Sequence, residues 1–223
     1  MTRPAGPLPT PISGPEDFAG TFNVSRETID QLNVYVSLLR LWQPRINLVA
    51  NATLAEVWQR HIADSAQIVA LAPPAPRNWL DLGSGGGFPG LVVAIMLRAA
   101  GTRVTLVESD RRKCAFLAEV ARQTGITVEI QTARIEQTAT QGMLGAVDVV
   151  SARALAPLVR LISLSLPFFG GETIGIFPKG RGAESEIAEA RATWAFDAET
   201  IPSLTDEAAR IVLVRRPRAI TEG

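Results

Sequence analysis

With 223 residues, of which 47% are hydrophobic and 20% charged, the chain suits one globular domain with room for a short appendage and a sizeable core. Its 22 basic and 22 acidic residues cancel, which excludes an indiscriminate electrostatic grip on nucleic acid but allows a local basic face. One cysteine and one histidine exclude an internal disulfide and a Cys/His zinc site, and no apolar run reaches the roughly 20 residues that span a bilayer.

The first residues lack the basic-then-apolar order of a secretion signal, so a cytoplasmic protein without membrane or metal is expected. Residues 1–24, rich in proline and glycine and without periodicity, read as a flexible tail. From Ser25, a residue suited to capping, apolar positions at Ile29, Leu32, Val36 and Leu39 fall at helical spacing as far as Trp42, and Pro44 ends that helix. A second amphipathic segment runs from Leu54 to Leu71 and is closed by the prolines between Pro73 and Pro76. Residues 25–76 thus form a small helical extension ahead of a main domain over 77–223.

In that domain short apolar runs alternate with helical patterns. Strands are expected over 78–82, 103–108, 128–131, 146–151, 172–177 and 211–215, and helices over 90–100, 111–122, 157–166 and 183–194. Alternation at this spacing specifies a doubly wound α/β fold, a mostly parallel sheet covered on both faces. Trp42, Trp58, Phe116 and Phe168 fit apolar faces and are assigned to the core, as is the Cys114 thiol.

The stretch DLGSGGGFPG, from Asp81 to Gly90, is the first strand-to-helix turn, where such folds cradle ligands. Glycines at 83, 85 and 87 let the backbone approach a ligand closely, and the helix beyond offers unpaired N–H groups. The run from Gly85 to Gly90 satisfies G-x-G-x-x-G, a weak dinucleotide signature by itself. Asp81 is expected to face the ligand, repelling a pyrophosphate and attracting an α-ammonium group, and Pro89 removes one N–H that a phosphate would use. S-adenosylmethionine, which carries the ammonium and no phosphate, fits better than NAD. Glu108, at the end of the second strand, is placed to accept hydrogen bonds from ribose hydroxyls.

Taken together, WLDLGSGGGFPG from Trp79, LVES from Leu106, ARIE from Ala133, SARAL from Ser151 and FPKGR from Phe177 closely resemble the glucose-inhibited division protein B family. NLVA from Asn47 and RHIADS from Arg60 resemble its N-terminal region. The resemblance covers roughly residues 25–216. It implies a class I S-adenosylmethionine-dependent methyltransferase with a seven-stranded sheet, acting on guanine N7 of 16S ribosomal RNA. It also implies cofactor contacts at Gly83, Phe88, Ile135, Glu136 and Arg153, with Glu108 as the ribose-binding acid.

Guanine N7 has a lone pair and no proton to lose, so its methylation needs no general base, and the sequence offers none. His61, the single histidine, is either packed within its helix or an RNA contact. The loop from Ser151 to Pro157 lacks the N-P-P-Y pattern of amine methylation, and no cysteine nucleophile stands there for a pyrimidine carbon. Arg153 and Lys179 are the positioning candidates; His61, Ser65, Lys179 and Arg181 are the RNA-binding candidates, Lys179 and Arg181 by way of a phosphate. The expected partner is 16S ribosomal RNA within the small subunit or its precursor, with the chain acting as a monomer. An NAD-linked oxidoreductase, a non-catalytic RNA-binding assembly protein and a small-molecule methyltransferase are the alternatives.

Overall fold

A computed structural model describes residues 10–137 and 145–220 of the chain. Helix α1 (Pro15–Phe22) precedes α2 (Arg26–Trp42), whose Ser25 cap accepts the Thr28 amide as the sequence suggests. The amphipathic segment from Leu54 is not one helix. It winds as a π-helix over Trp58–Ala63, continues as α3 (Asp64–Ala66) and ends in a 3-10 turn over Val69–Leu71. The α/β part then runs β1 (Asn78–Leu82), α4 (Gly90–Leu97), β2 (Arg103–Glu108), α5 (Arg111–Thr124), β3 (Glu129–Thr132), β4 (Val149–Ser151), α6 (Leu158–Ser165), β5 (Ile174–Lys179), α7 (Ala183–Ala190), β6 (Trp194–Pro202) and β7 (Arg210–Ala219).

The strands form one seven-stranded sheet in the order β3-β2-β1-β4-β5-β7-β6, parallel except for β7, which lies antiparallel to both its neighbours. The chain winds outward from β1 to β3, then crosses back to β4. The switch point between β1 and β4 is where this topology opens a crevice at the carboxyl ends of the strands.

Two apolar cores cover the two faces. Along β1, Leu80 and Leu82 point into a core with Leu158, Leu161 and Phe177, whereas Trp79 points into the core that holds Leu91, Phe116 and the N-terminal helices. The N-terminal helices therefore share a core with the sheet. Helix α1 lies in the segment expected to be a flexible tail; Phe18 is fully buried against Phe22 and Trp58, with ring centroids 4.7 and 5.7 Å away. Pro15 at the first turn is compatible with a helix, and two aromatics one turn apart anchor it, each contributing roughly 1.5–3 kcal/mol of burial.

Strand β6 begins at Trp194, the residue at which the helix beginning at Ala183 was expected to end, and α7 stops at Ala190. Trp58, Phe116 and Phe168 are buried and Trp42 packs on Phe116, as expected of core residues.

Candidate cofactor site

The turn after β1 is stitched to the end of β2. The amides of Gly83 and Ser84 both donate to the Val107 carbonyl, at 2.9 and 3.1 Å, and the Gly85 amide donates to Glu108 Oε2 at 2.9 Å. Glu108 Oε1 accepts the Asp110 amide at 2.8 Å, so this buried carboxylate fixes the turn and the start of α5 together. Gly87 donates to Ser84 O and Gly90 to Asp81 Oδ2, while Pro89 has no N–H. The amides of Gly83, Ser84, Gly85, Gly87 and Gly90 are thus committed within the protein. A turn that cradles pyrophosphate presents such amides to its ligand; this one keeps them.

That commitment, and not the charge of Asp81, weighs against a dinucleotide. Asp81 is fully buried and does not line the crevice, because strand alternation puts it on the Trp79 face, under α4. Trp79 Nε1 donates to Ser151 Oγ at 2.9 Å, and Ser151 Oγ donates to Asp81 Oδ1 at 2.7 Å. A Cβ on Gly90 would stand 2.7 Å from Asp81 Oδ2 and 2.3 Å from Leu106 Cδ2, so glycine is required for α4 to seat on the carboxylate. A Cβ on Gly87 would meet Leu91 and the Tyr35 hydroxyl, and Gly87 is not among the residues that line the crevice.

Burial raises the Asp81 pKa to about 6, against hydrogen bonds from Ser151 and the Gly90 amide that lower it. The folded state therefore holds a proton that the unfolded chain releases above its ordinary value of 3.8. Stability from this group is full below that value and is lost as pH rises through about 6, an effect on the order of 3 kcal/mol. Denaturant midpoints of wild type and Asp81→Asn at pH 4.5 and 7.5 are expected to diverge in favour of the amide at the higher pH. A constant difference between them would contradict the assignment.

The crevice is a cavity of about 680 Å³ lined by Gly83, Gly85, Phe88, Glu108, Ile135, Glu136 and Arg153, which brings together most of the predicted cofactor residues. Gly85, at φ +55, has only the Gly83 carbonyl near the place of a Cβ, so open space lies above it. Phe88 is buried between Tyr35 and His61, with centroids 5.1 and 4.9 Å away, and serves more as a wall than as a stacking platform. Glu136 pairs with Arg160 at the rim. Asn47 to Ala50 and Thr53 also line the cavity, a contribution that the resemblance of NLVA hinted at but the residue chemistry did not. Gln43, buried, shapes that loop: its Oε1 accepts the Leu48 and Val49 amides and its Nε2 donates to Val49 O.

Arg153 binds the helical segment to this crevice. Its Nε pairs with Asp64 Oδ2 at 3.1 Å, and its Nη2 donates to the Arg60 carbonyl at 2.9 Å and to His61 Nδ1 at 3.0 Å. Because a guanidinium only donates, His61 Nδ1 must accept, which assigns the proton to Nε2, 2.7 Å from Thr53 Oγ1. Burial, Arg153 and Arg60 push the His61 pKa down to about 3. The ring is a neutral strut between Arg153 and Thr53. Arg153 Nη1 is buried with no hydrogen-bond partner among the described residues.

The family model of rRNA small subunit methyltransferase G matches residues 28–212. The chain belongs to that family. A member from Parvibaculum lavamentivorans is 55% identical over 90% of this chain and 88% of its own length, and one from Rhodospirillum centenum is 48% identical over 97% and 98%. Among solved structures, a methyltransferase from Geobacter sulfurreducens aligns with a TM-score of 0.56 at 14% identity, covering 82% of this chain and 88% of that one. An O-methyltransferase from Bacillus cereus in complex with SAH aligns with a TM-score of 0.55 at 13% identity, covering 86% and 92%. These two likenesses carry the α/β fold of the methyltransferases, which the seven-stranded order reproduces.

Three residues expected to meet RNA have little accessible surface. Ser65 is fully buried. His61 is held as above. The Lys179 side chain is 8% accessible: its Nζ pairs with Glu186 at 2.7 Å and donates to Ala156 O at 2.7 Å, while Glu186 also accepts the Leu158 amide at the start of α6. Lys179 therefore holds α6 and α7 to the sheet and has no free charge to offer a phosphate. Arg181 alone of the four is exposed, with no ion pair among the described residues.

Proposed function

We propose that the chain transfers the methyl group of S-adenosylmethionine to N7 of a guanine in 16S ribosomal RNA, acting in the cytoplasm as a monomer on the small subunit or its precursor. The observation that carries this reading is Glu108: a buried carboxylate at the end of β2, lining the switch-point crevice of a chain in the methyltransferase G family. Two backbone amides leave acceptor capacity on its oxygens for a pair of ribose hydroxyls. Arg153, a guanidinium lining the same crevice, suits the carboxylate at the other end of an amino-acid nucleoside. A crevice with an acceptor at one end, a donor at the other and committed glycine amides between fits S-adenosylmethionine and not a dinucleotide. Bound there, the cofactor supplies an electrophilic methyl on a positively charged sulfur.

The remaining work belongs to the protein. Gly83 and Gly85 keep the floor low, Phe88 and Ile135 exclude water, and the strut from Thr53 through His61 holds Arg153 still. No side chain is asked to move a proton, which agrees with an N7 acceptor and with a histidine that stays neutral at physiological pH. Rate enhancement then rests on proximity and orientation. N7 is hidden in the A-form major groove, so the target guanine must come from a loop or distorted region.

Incubation of the protein with methyl-labelled S-adenosylmethionine and small subunits from a strain lacking it tests this reading. Label in 7-methylguanosine is expected. Cofactor binding without label on subunits, precursor particles or naked RNA would overturn the RNA assignment.

A further inference from the structure

A second cavity, of about 460 Å³, adjoins the first, and Arg153, Ala154 and Leu155 line both. It opens over the carboxyl ends of β4 and β5, with Pro157, Pro178 and Ile211 among its apolar lining. This shared segment is held under strain: Ala154 has φ +52, a left-handed conformation that is costly for a non-glycine residue and persists where the surrounding structure enforces it. Leu155 lies over the glycine turn, where a Cβ on Gly83 would come within 2.6 Å of it.

Three ion pairs line this second cavity, and they differ in what they can do. Arg153–Asp64 and Lys179–Glu186 are shielded and tied by further hydrogen bonds to Thr205, Gln67 and backbone groups. Arg60–Asp206, at 3.2 Å, is the exposed one, with side chains 44% and 40% accessible. An exposed pair of this kind is weakly held, so it opens readily.

Resting on the methyl-transfer function above, we propose that this cavity receives the flipped-out acceptor guanine, and that Arg60 and Asp206 part to read its Watson–Crick edge. Guanine presents there one acceptor, O6, beside two donors, N1–H and N2–H2; a guanidinium and a carboxylate supply the complement. Adenine presents the reverse pattern at the corresponding N6 and N1 positions. Extruded bases are commonly read on this edge. Recognition there leaves N7 unbonded on the adjoining edge of the base, free to face the cofactor cavity. An arginine held to O6 and N7 together, the common mode in the major groove, would instead occupy the lone pair that must attack.

Gly180 lines the same cavity, has no atom within 4 Å of the place of a Cβ and sits at no positive φ, so a large side chain there fills the cavity without straining the fold. The test measures cofactor affinity and methyl transfer to unmodified small subunits for wild type, Gly180→Trp and Asp206→Asn. Gly180→Trp is expected to bind S-adenosylmethionine within about twofold of wild type and to lose transfer by roughly 100-fold. Asp206→Asn is expected to raise KM for subunits roughly tenfold with cofactor affinity unchanged. Wild-type transfer with unimpaired transfer by both variants would overturn the assignment, as would equal losses of cofactor affinity. No transfer by wild type would instead refute the methyl-transfer function, and this assignment with it.

Discussion

Arg153→Ala is expected to lower kcat/KM for methyl transfer roughly 100-fold and to cost about 2–3 kcal/mol of stability. Its guanidinium meets three acceptors of the N-terminal segment at once: the Asp64 carboxylate, the Arg60 carbonyl and His61 Nδ1. Truncation leaves a shielded carboxylate without its cation and a ring nitrogen without its donor, and it removes the guanidinium from the lining of the crevice. Arg153→Lys is expected to recover part of the stability and little of the activity, because an ammonium reaches one acceptor where the planar fork reaches several. Chemical denaturation and steady-state kinetics on the same preparations separate the two effects. Activity within threefold of wild type in the alanine variant would contradict the role given to Arg153.

Glu108→Ala is expected to weaken S-adenosylmethionine binding roughly 100-fold and to destabilise the fold by about 2–3 kcal/mol, the worth of charge-assisted hydrogen bonds lost at a buried site. The loss has two sources. The ribose hydroxyls lose their acceptor, and the amides of Gly85 and Asp110 lose the carboxylate that aligns the turn with α5. Glu108→Gln separates them: its single oxygen satisfies one amide while its NH2 opposes the other, so a loss between those of wild type and alanine is expected. Calorimetric titration with S-adenosylmethionine reads both variants; unchanged affinity in the alanine variant would remove Glu108 from the site.

How far the sequence revealed this arrangement depended on the range of the contacts involved. Strands β1 and β2 occupy the residues expected of them because each is a short apolar run closed by turn residues, a local signal. Strand β6 was hidden. It is an edge strand of mixed polarity, WAFDAETIP, with a register shift between Ala195 and Asp197, so no clean alternation marks it. The break of the second N-terminal helix into π and 3-10 turns leaves the apolar spacing almost unaltered and cannot be read from periodicity.

The glycine turn and Glu108 were legible because spacing places them. The side chain of Asp81 was misplaced by attending to the turn and not to the strand: counting alternation from Trp79 puts Asp81 under α4. Arg153 was singled out, but its partners Asp64 and His61 stand about ninety positions earlier, and nothing local joins them. Lys179 is a different case: its partner Glu186 lies in the very next helix, and only the packing of α7 on the sheet shows that the two meet.

Nucleoside analysis of small-subunit ribosomal RNA decides whether the chain makes 7-methylguanosine. RNA from cells lacking the chain is expected to have lost that nucleoside, to regain it on expression of the wild type, and to remain without it on expression of Glu108→Ala or Arg153→Ala. An unchanged level of 7-methylguanosine in small-subunit RNA after deletion of the chain would contradict the assignment.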